Sequence, residues 1–257
     1  MPRTARQKSE SGIYHVMLRG VNRREIFHDD EDCIRFLETL YRYKKKADLT
    51  VYAWCLMGNH VHLLLGEGNE SLAVTMKRIE VSFAWFYNWK YMSIGHLFQD
   101  RYKSERVENE EYLKTVVRYI HQNPVKAEMV KQCNEWKWSS CHGYYGQQTY
   151  TPKLLDSSFV LNMLSTNRET AIKIFQKYDR GVCMDAVLDD TPKRRLTDGE
   201  AMKEIVKLAH YCPVLEIINL PKEKRDEIIA KIKEIEGLSQ RQIARVLGIP
   251  PNLVFKV

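Results

Sequence analysis

The most pronounced hydrophobic pattern in the chain lies at residues 51–65, which read VYAWCLMGNHVHLLL. Gly58-Asn59 interrupts the apolar run, so the pattern predicts a strand that breaks there and resumes. Side chains alternate across a strand, which places His60 and His62 on the same face. Two imidazoles on one rigid face are well placed to share a divalent metal, although two structural histidines would give the same pattern.

The flanking residues predict alternating strands and helices. Residues 12–20 alternate as a first strand and are followed by a basic turn. Helical spacing of apolar residues predicts one helix from about Glu31 to Lys46 and a second from Ser71 to about Tyr91. Residues 95–107 read as a loop that leads into another strand.

A third helix is predicted after Asn109, which is a good capping residue. Its core face is formed by apolar residues at helical spacing, namely Leu113, Val116, Val117 and Ile120. At 100° per residue, Tyr119 and Asn123 fall together on one flank of this helix. Pro124 predicts that the helix ends or bends at Asn123. The flank therefore presents a hydroxyl beside an amide, or else a half-buried tyrosine with an asparagine at a helix end.

The residues after Tyr150 have a different hydrophobic pattern, which predicts helices and no strands. The predicted helices are 157–164, 167–178, 197–209 and 222–236. Residues 238–257 resemble a helix-turn-helix in which Ser239 caps the first helix, Gly248 makes the turn and Asn252 opens a short second helix. A three-helix packing module is the alternative, because the second helix is too short to read a major groove securely.

Composition indicates a folded globular protein. Of the 257 residues, 44% are hydrophobic and 11% are aromatic, which excludes a disordered chain. The net charge of +7 permits a polyanionic partner without requiring one. No apolar run approaches the roughly 20 residues that span a bilayer, and the polar first residues lack the apolar segment of a signal peptide. Six scattered cysteines without a CxxC pair indicate reduced core residues, so the expected location is the cytoplasm.

Basic residues cluster at the end of the first strand with its turn, and again before the third helix. Both segments could follow a phosphate backbone, although a solvated turn and a solvated edge strand would look the same. The candidates for DNA contact are Arg19, Arg23, Arg24, Arg101, Lys103 and Arg106. Aromatic residues at the end of the second helix, if exposed, could stack on unpaired bases.

These pieces together predict one kind of chemistry. If the third helix packs over the histidine strand, His60, His62 and Asn123 would form a metal site with open positions. A metal there would polarise a phosphodiester oxygen and stabilise the charge that develops on displacement. Tyr119 would then be the nucleophile, and its phosphotyrosyl bond would conserve the energy needed for rejoining, whereas water would give simple hydrolysis.

This constellation resembles the single-tyrosine HUH transposases, which act on single-stranded DNA, and in particular their REP-associated tyrosine transposase branch. The matching segments are MGNHVHLLL, HLFQDRYKSERV and VVRYIHQNPVKAEMV, within residues 12–145. Their order and spacing carry the resemblance. Asn123 stands where the insertion-sequence branch usually has glutamine, which favours the REP-associated side.

The resemblance implies an α+β fold over residues 1–150, a ferredoxin-like antiparallel sheet with helices on one face. An all-α extension over residues 151–257 would follow, with the truncated helix-turn-helix at residues 238–257. It also implies Mg²⁺ or Mn²⁺ held by His60, His62 and Asn123, and a 5′-phosphotyrosine formed by Tyr119 with a free 3′ hydroxyl on the other DNA end. Substrates would be single strands that contain hairpins, cut and rejoined in DNA transposition.

Three questions stay open at this point. The chain could instead be a non-catalytic, domesticated DNA-binding protein that keeps the same fold. It could also be a metal-dependent RNA-processing enzyme or phosphodiesterase without a covalent intermediate. The resemblance does not decide between a monomer and a homodimer, in which the tyrosine helix would be exchanged.

Overall fold

The computed structural model describes residues 7–151, 153–181, 187–188, 196–208, 220–235 and 237–256. The chain divides into two compact units, Met1–Leu188 and Asp189–Val257. The first unit contains two clusters of buried apolar side chains and the second contains one.

The first unit is built on a four-stranded antiparallel sheet with the order β2-β3-β1-β4. Its strands are β1 Ile13–Arg19, β2 Thr50–Met57, β3 His60–Gly66 and β4 Lys103–Arg106. Helix α1, Asp30–Ala47, joins β1 to β2, and helix α2, Leu72–Lys90, joins β3 to β4. This βαββαβ order is that of a ferredoxin-like fold, so the predicted fold class is confirmed.

Helices α1 and α2 cover one face of the sheet. Alternate strand residues such as Val16, Trp54 and Leu63 share a core with both helices. Phe83 of α2 lies near the middle of this core, with its ring centroid 5.2 Å from that of Phe36 in an edge-to-face contact. Such aromatic pairs add to the apolar area that is buried, so this cluster fixes how the two helices sit on the sheet.

The opposite face of the sheet is covered by helix α3, Glu110–Lys126, and by helices that follow it. The predicted core residues Leu113, Val116 and Ile120 are buried there. Asn109 caps α3 as expected, since its Oδ1 accepts from the Tyr112 backbone N–H at 2.7 Å. The face that α1 and α2 leave open is therefore the one on which α3 packs.

The prediction that α3 ends at Asn123 is wrong, and the alternative of a bend there stays a prediction. The helix continues to Lys126 with Pro124 inside it. A proline removes one backbone donor, and near the end of a helix only one hydrogen bond is lost. The Asn123 carbonyl accepts from Ala127 N at 3.0 Å and the Pro124 carbonyl from Met129 N at 2.9 Å, which closes the last turn.

The first unit extends beyond the division predicted at Tyr150. It includes the short helices α4, Cys141–Tyr144, and α5, Ser158–Asn162, and also α6, Arg168–Asp179. Asp156 fastens this segment to β2, because Val51 N donates to its Oδ2 at 2.8 Å and its own N–H donates to the Val51 carbonyl at 2.8 Å. The residues after Tyr150 thus complete the sheet edge as well as the second core.

The second unit is helical, as predicted. Its described helices are α7 Asp198–Leu208, α8 Lys222–Lys233, α9 Gln240–Leu247 and α10 Pro251–Lys256. Ser239 caps α9 by accepting from Gln242 N at 3.2 Å, and Gly248 ends it with a φ of 66°. Helix α10 begins at Pro251, one residue before the start predicted at Asn252. Residues 209, 236 and 257, at the ends of the predicted helices, lie outside the described residues.

The four described cysteines, Cys33, Cys55, Cys133 and Cys141, are buried and free, as predicted for reduced core residues. Cys183 and Cys212 lie outside the described residues. Within the described ranges, no helix combines the length and the apolar character that crossing a bilayer requires.

The aromatic core between α1 and α2 gives a first test. Replacing the fully buried Phe83 by Ala should lower the free energy of unfolding by about 3–5 kcal/mol, because it removes a large side chain and leaves a cavity. Trp85→Ala, on the exposed side of the same helix, should change it by less than about 1 kcal/mol. Urea unfolding followed by circular dichroism measures both. Equal losses of the free energy of unfolding in the two variants would contradict the burial of Phe83 between α1, α2 and the sheet.

Candidate nucleophile and metal site

His60 and His62 lie on the central strand β3, on the face that α3 covers. In the strand register, His62 is opposite Met17 of β1 and Cys55 of β2, and His60 is opposite Arg19. Directly opposite residues share a face, and Cys55 belongs to the core under α3. The two imidazole centroids are 5.1 Å apart and the ring planes are nearly perpendicular.

The turn before His60 is held by the loop that follows β1. Gly20 N donates to the Asn59 carbonyl at 3.0 Å. A Cβ on Gly20 would lie 2.3 Å from the Arg24 carbonyl oxygen, so the close approach requires glycine. His60 Nδ1 lies 2.6 Å from the Asn59 side-chain oxygen. Because that oxygen can only accept, Nδ1 carries a proton and the neutral ring has its lone pair on Nε2.

His15 of β1 is a site residue that the sequence pattern did not single out. Its Nε2 lies 3.0 Å from His62 Nδ1, and the two rings stack with centroids 5.2 Å apart. Its other nitrogen, Nδ1, faces the Glu105 carboxylate at 4.0 Å. The signal was present in the alternation of β1, which puts His15 on the same face as Arg19. Only the pairing of β1 with β3 makes that face the histidine face.

The remaining ring nitrogen of His62 fits a metal ligand. Among the described residues, His62 Nε2 is buried and has no hydrogen-bond partner. If His62 Nδ1–H donates to His15, Nε2 has a free lone pair, which is the form that binds a metal ion. A buried polar atom that is left unsatisfied destabilises the fold, and a bound cation would remove that cost.

Both buried histidines are held in the neutral state. Burial lowers the pKa of His15 from 6.5 to about 3. Burial is also the main cause of a pKa of His62 well below 6.5, and the positive charges of neighbouring groups, including Arg19 and Lys126, lower it further. Only a neutral imidazole can ligate a metal, so this environment keeps His62 ready to bind one near pH 7.

Tyr119 of α3 packs directly on the histidines of the same chain. Its ring centroid is 5.6 Å from that of His62 and 5.8 Å from that of His15. The Lys126 ammonium lies 4.3 Å from the centroid of the tyrosine ring. The tyrosine is only 2% exposed. A phenol, two imidazoles and one cation are thus brought together by β1, β3 and α3.

Asn123 lies one helical turn after Tyr119, as the spacing predicted. It is buried, and its Nδ2 donates to the Tyr119 carbonyl at 2.9 Å. This bond fixes the side chain against its own helix and leaves Oδ1 as the atom that can act as a ligand. The role of Asn123 as third ligand stays a prediction.

The six predicted DNA contacts do not share one face. Lys103 is opposite Met17 and Arg19 is opposite His60, so both lie on the histidine face. Arg106 is opposite Tyr14, whose side chain belongs to the core under α1 and α2, so it lies on the other face. Arg23 is exposed in the 3-10 turn Val21–Arg23, Arg101 is exposed in a loop, and Arg24 lies 5.3 Å above the Tyr87 ring.

The neutral state of His15 predicts a pH dependence of stability. Its pKa is lower in the fold than in the unfolded chain, so the unfolded chain binds more protons between about pH 3 and 6.5. The free energy of unfolding, measured with a chelator present, should therefore fall as the pH drops from about 7 to 4, by at most about 1.4 kcal/mol per unit for each such histidine. His15→Gln should flatten the slope of the free energy of unfolding against pH, whereas His96→Gln, at an exposed histidine, should leave it unchanged. Equal slopes in the two variants would refute the conclusion that the fold holds His15 neutral.

Comparison with known proteins gives the following similarities. Residues 8–123 match the family model described as "Transposase IS200 like". The chain is 26% identical over 105 residues to the REP-associated tyrosine transposase of Escherichia coli (strain K12), and the match covers 40% of this chain. It spans 61% of that relative's length. A solved structure of a REP-associated tyrosine transposase bound to a REP hairpin aligns at 21% identity with a TM-score of 0.49, covering 59% of this chain and 89% of that one.

The family match begins before β1 and ends at Asn123. It therefore includes the whole sheet, the histidine strand and the part of α3 that carries Tyr119. Residues 8–123 are therefore similar to the IS200-like transposase family, in agreement with the resemblance seen in the sequence.

Proposed function

We propose that this chain cuts and rejoins single-stranded DNA, with Tyr119 as the nucleophile. The observation that carries the proposal is the packing of Tyr119 against His62, with centroids 5.6 Å apart, inside one chain. A tyrosine beside a metal-binding pair of histidines suits reversible strand transfer, since the covalent intermediate keeps the energy of the broken bond. Because the tyrosine and the histidines come from the same chain, the reaction would not require an exchanged helix from a partner.

His60, His62 and Asn123 would hold a divalent metal, Mg²⁺ or Mn²⁺. The fit rests on His62, whose buried Nε2 lacks a partner among the described residues. It also rests on His60, whose Nδ1 contact with Asn59 leaves Nε2 as the ligand atom. A bound divalent ion would polarise the scissile phosphate and stabilise its extra negative charge. His15 acts on this site as a positioning residue, because its contact with Nδ1 selects the tautomer of His62.

The proposed step moves one bond at phosphorus. The Tyr119 hydroxyl gives up its proton to water as its oxygen attacks the phosphorus, and the bond between phosphorus and the 3′ oxygen breaks. The 5′ phosphate is then attached to the tyrosine, and the leaving oxygen takes up a proton to become a 3′ hydroxyl. Lys126, above the tyrosine ring, places positive charge where the attacking oxygen and the phosphate carry negative charge. Attack by a 3′ hydroxyl on the phosphotyrosine reverses the step and joins strands.

A hairpin-containing single strand is the proposed substrate. One relative is named a REP-associated tyrosine transposase and the other is described as bound to a REP hairpin. Arg19 and Lys103 lie on the histidine face and would contact phosphates beside the scissile bond. Trp85 and Trp89 of α2 are 67% and 68% exposed, as stacking on unpaired bases requires.

A non-catalytic DNA-binding role is the second candidate. The observation that favours it is the burial of Tyr119, which is 2% exposed. A phosphate reaches a buried phenol only if the covering side chains move. A protein that merely binds DNA would not need that movement, and it would bind without forming a covalent product.

The nucleophile assignment has a direct test. With a hairpin-bearing single strand and Mn²⁺, the chain should form an adduct that survives denaturing electrophoresis. Tyr119→Phe should abolish the adduct, because it removes only the attacking oxygen. The matched control is Tyr112→Phe, which removes a hydroxyl from the same helix and should leave the adduct intact.

His62→Ala should also abolish the adduct while most of the binding is retained, since phosphate contacts lie on other residues. An adduct that persists in Tyr119→Phe would refute the assignment of the nucleophile. Salt-sensitive binding without any adduct, across metals and hairpins, would favour the non-catalytic role.

The division of the basic residues between two faces gives a separate test. Lys103→Ala should weaken the binding of a single-stranded hairpin several-fold and reduce its salt dependence, because it removes a phosphate contact on the histidine face. Arg106→Ala, three residues further along the same strand and facing the other side, should have a much smaller effect. Fluorescence anisotropy at several salt concentrations measures both. Equal losses would mean that DNA does not follow the histidine face.

A further inference from the structure

A second group of potential metal ligands occurs in the first unit. It consists of His121 on α3, Cys141 on α4 and Asp179 at the end of α6. All three side chains are fully buried, and one ligand atom of each lies within 4.8 Å of the others. None of the three is assigned a role in DNA cleavage. The three helices that carry them pack in the core on the histidine face of the sheet.

The spacing between His121 and Asp179 suits a common ion better than a direct hydrogen bond. His121 Nδ1 and Asp179 Oδ1 are 3.6 Å apart, and both are buried without a hydrogen-bond partner among the described residues. Cys141 Sγ lies 3.6 Å from Asp179 Oδ2. Two ligands of one tetrahedral zinc ion lie about 3.3–3.8 Å apart, given bond lengths near 2.0–2.3 Å. A nitrogen–oxygen hydrogen bond is shorter, at about 2.7–3.2 Å.

The tautomer of His121 is set by Ser140. The Ser140 hydroxyl donates to the Trp54 carbonyl at 3.2 Å, so its proton is already used. With the serine proton on that carbonyl, His121 Nε2, at 2.9 Å from the same oxygen, donates to it. In the neutral ring, Nδ1 then has the lone pair, and this lone pair faces the carboxylate of Asp179. Two facing acceptors repel each other unless a cation lies between them.

The chemistry of these three groups suits zinc. One sulfur, one imidazole nitrogen and one carboxylate oxygen are all ligand types that tetrahedral zinc takes in proteins. With three protein ligands, the fourth position of a tetrahedral ion would be taken by water.

We propose that His121, Cys141 and Asp179 bind a Zn²⁺ ion. Binding displaces the thiol proton of Cys141 to solvent, so that the cysteine ligates as a thiolate. The ion joins α3, α4 and α6 and neutralises the buried carboxylate. His121 lies between Tyr119 and Asn123 on α3, so this site fixes the helix that carries the candidate nucleophile. The proposal does not depend on the proposed DNA chemistry.

The test measures metal in the full chain, purified without a metal-affinity step. After zinc supplementation and dialysis against a weak chelator, elemental analysis should find about one tightly bound zinc ion per chain. Cobalt substitution should give a thiolate-to-cobalt charge-transfer band. The histidine and asparagine ligands of the proposed catalytic site contain no sulfur and cannot give this band.

Variants locate the ion. Cys141→Ser should lose the zinc and the cobalt band, while His62→Ala should keep both. Cys33→Ser is the matched control, because Cys33 is an equally buried cysteine in the other core and should retain both signals. If Cys141→Ser does not fold, the cobalt spectrum of the wild-type chain still tests the proposal, because only a cysteine ligand gives the charge-transfer band. A folded wild-type chain without zinc and without the band would overturn the proposal, as would loss of the zinc in His62→Ala or its retention in Cys141→Ser.

Discussion

The candidate site depends on the register in which β3 pairs with its two neighbours. His60 and His62 face α3 because Arg19 and Met17 stand opposite them on β1 and because Cys55 stands opposite His62 on β2. A slip of one residue would turn both histidines toward the core under α1 and α2, since the side-chain period of a strand is two. The same register brings His15 to His62. His15 lies two residues before Met17 on the same face of β1, so it is diagonal to His62 on β3 and the two rings can stack. Apolar residues on the alternate positions, such as Val61 and Leu63, make the slipped register costly.

Burial determines the electrostatics of this face. His15 and His62 are inside the fold and close to other potential cations, so both stay neutral, and the positive charge is left to Arg19, Lys103 and Lys126 at the margin. Neutral imidazoles in the interior with cations around them suit a site that binds a metal and a phosphate together. A charged His62 would instead repel the metal and could not offer a lone pair. The low exposure of Tyr119 belongs to the same arrangement, in which the proposed nucleophile would be kept from water until a substrate enters.

Local patterns predicted the parts of the site but not all of its contacts. The alternation of β3 placed His60 and His62 on one face, and the 100° rotation of a helix placed Tyr119 beside Asn123. His15 was missed because strand pairing joins residues 47 positions apart, and no local spacing carries that information. Pro124 misled the prediction of the helix end, because the penalty for proline falls near a terminus, where few hydrogen bonds remain to be broken. The division of the basic residues between two faces likewise required the register of β4.

Helix α3 connects the two polar clusters of the first unit through its own geometry. Tyr119 and His121 are two residues apart, which places them about 200° apart around the helix axis. One flank therefore carries the tyrosine against the histidines of β1 and β3, while the opposite flank carries His121 against Ser140 and Asp179. A rotation of α3 that moved the tyrosine away from His62 would also pull His121 out of its buried contacts. The position of the candidate nucleophile is thus also constrained by His121 on the opposite flank of α3, outside the proposed DNA-cleavage site.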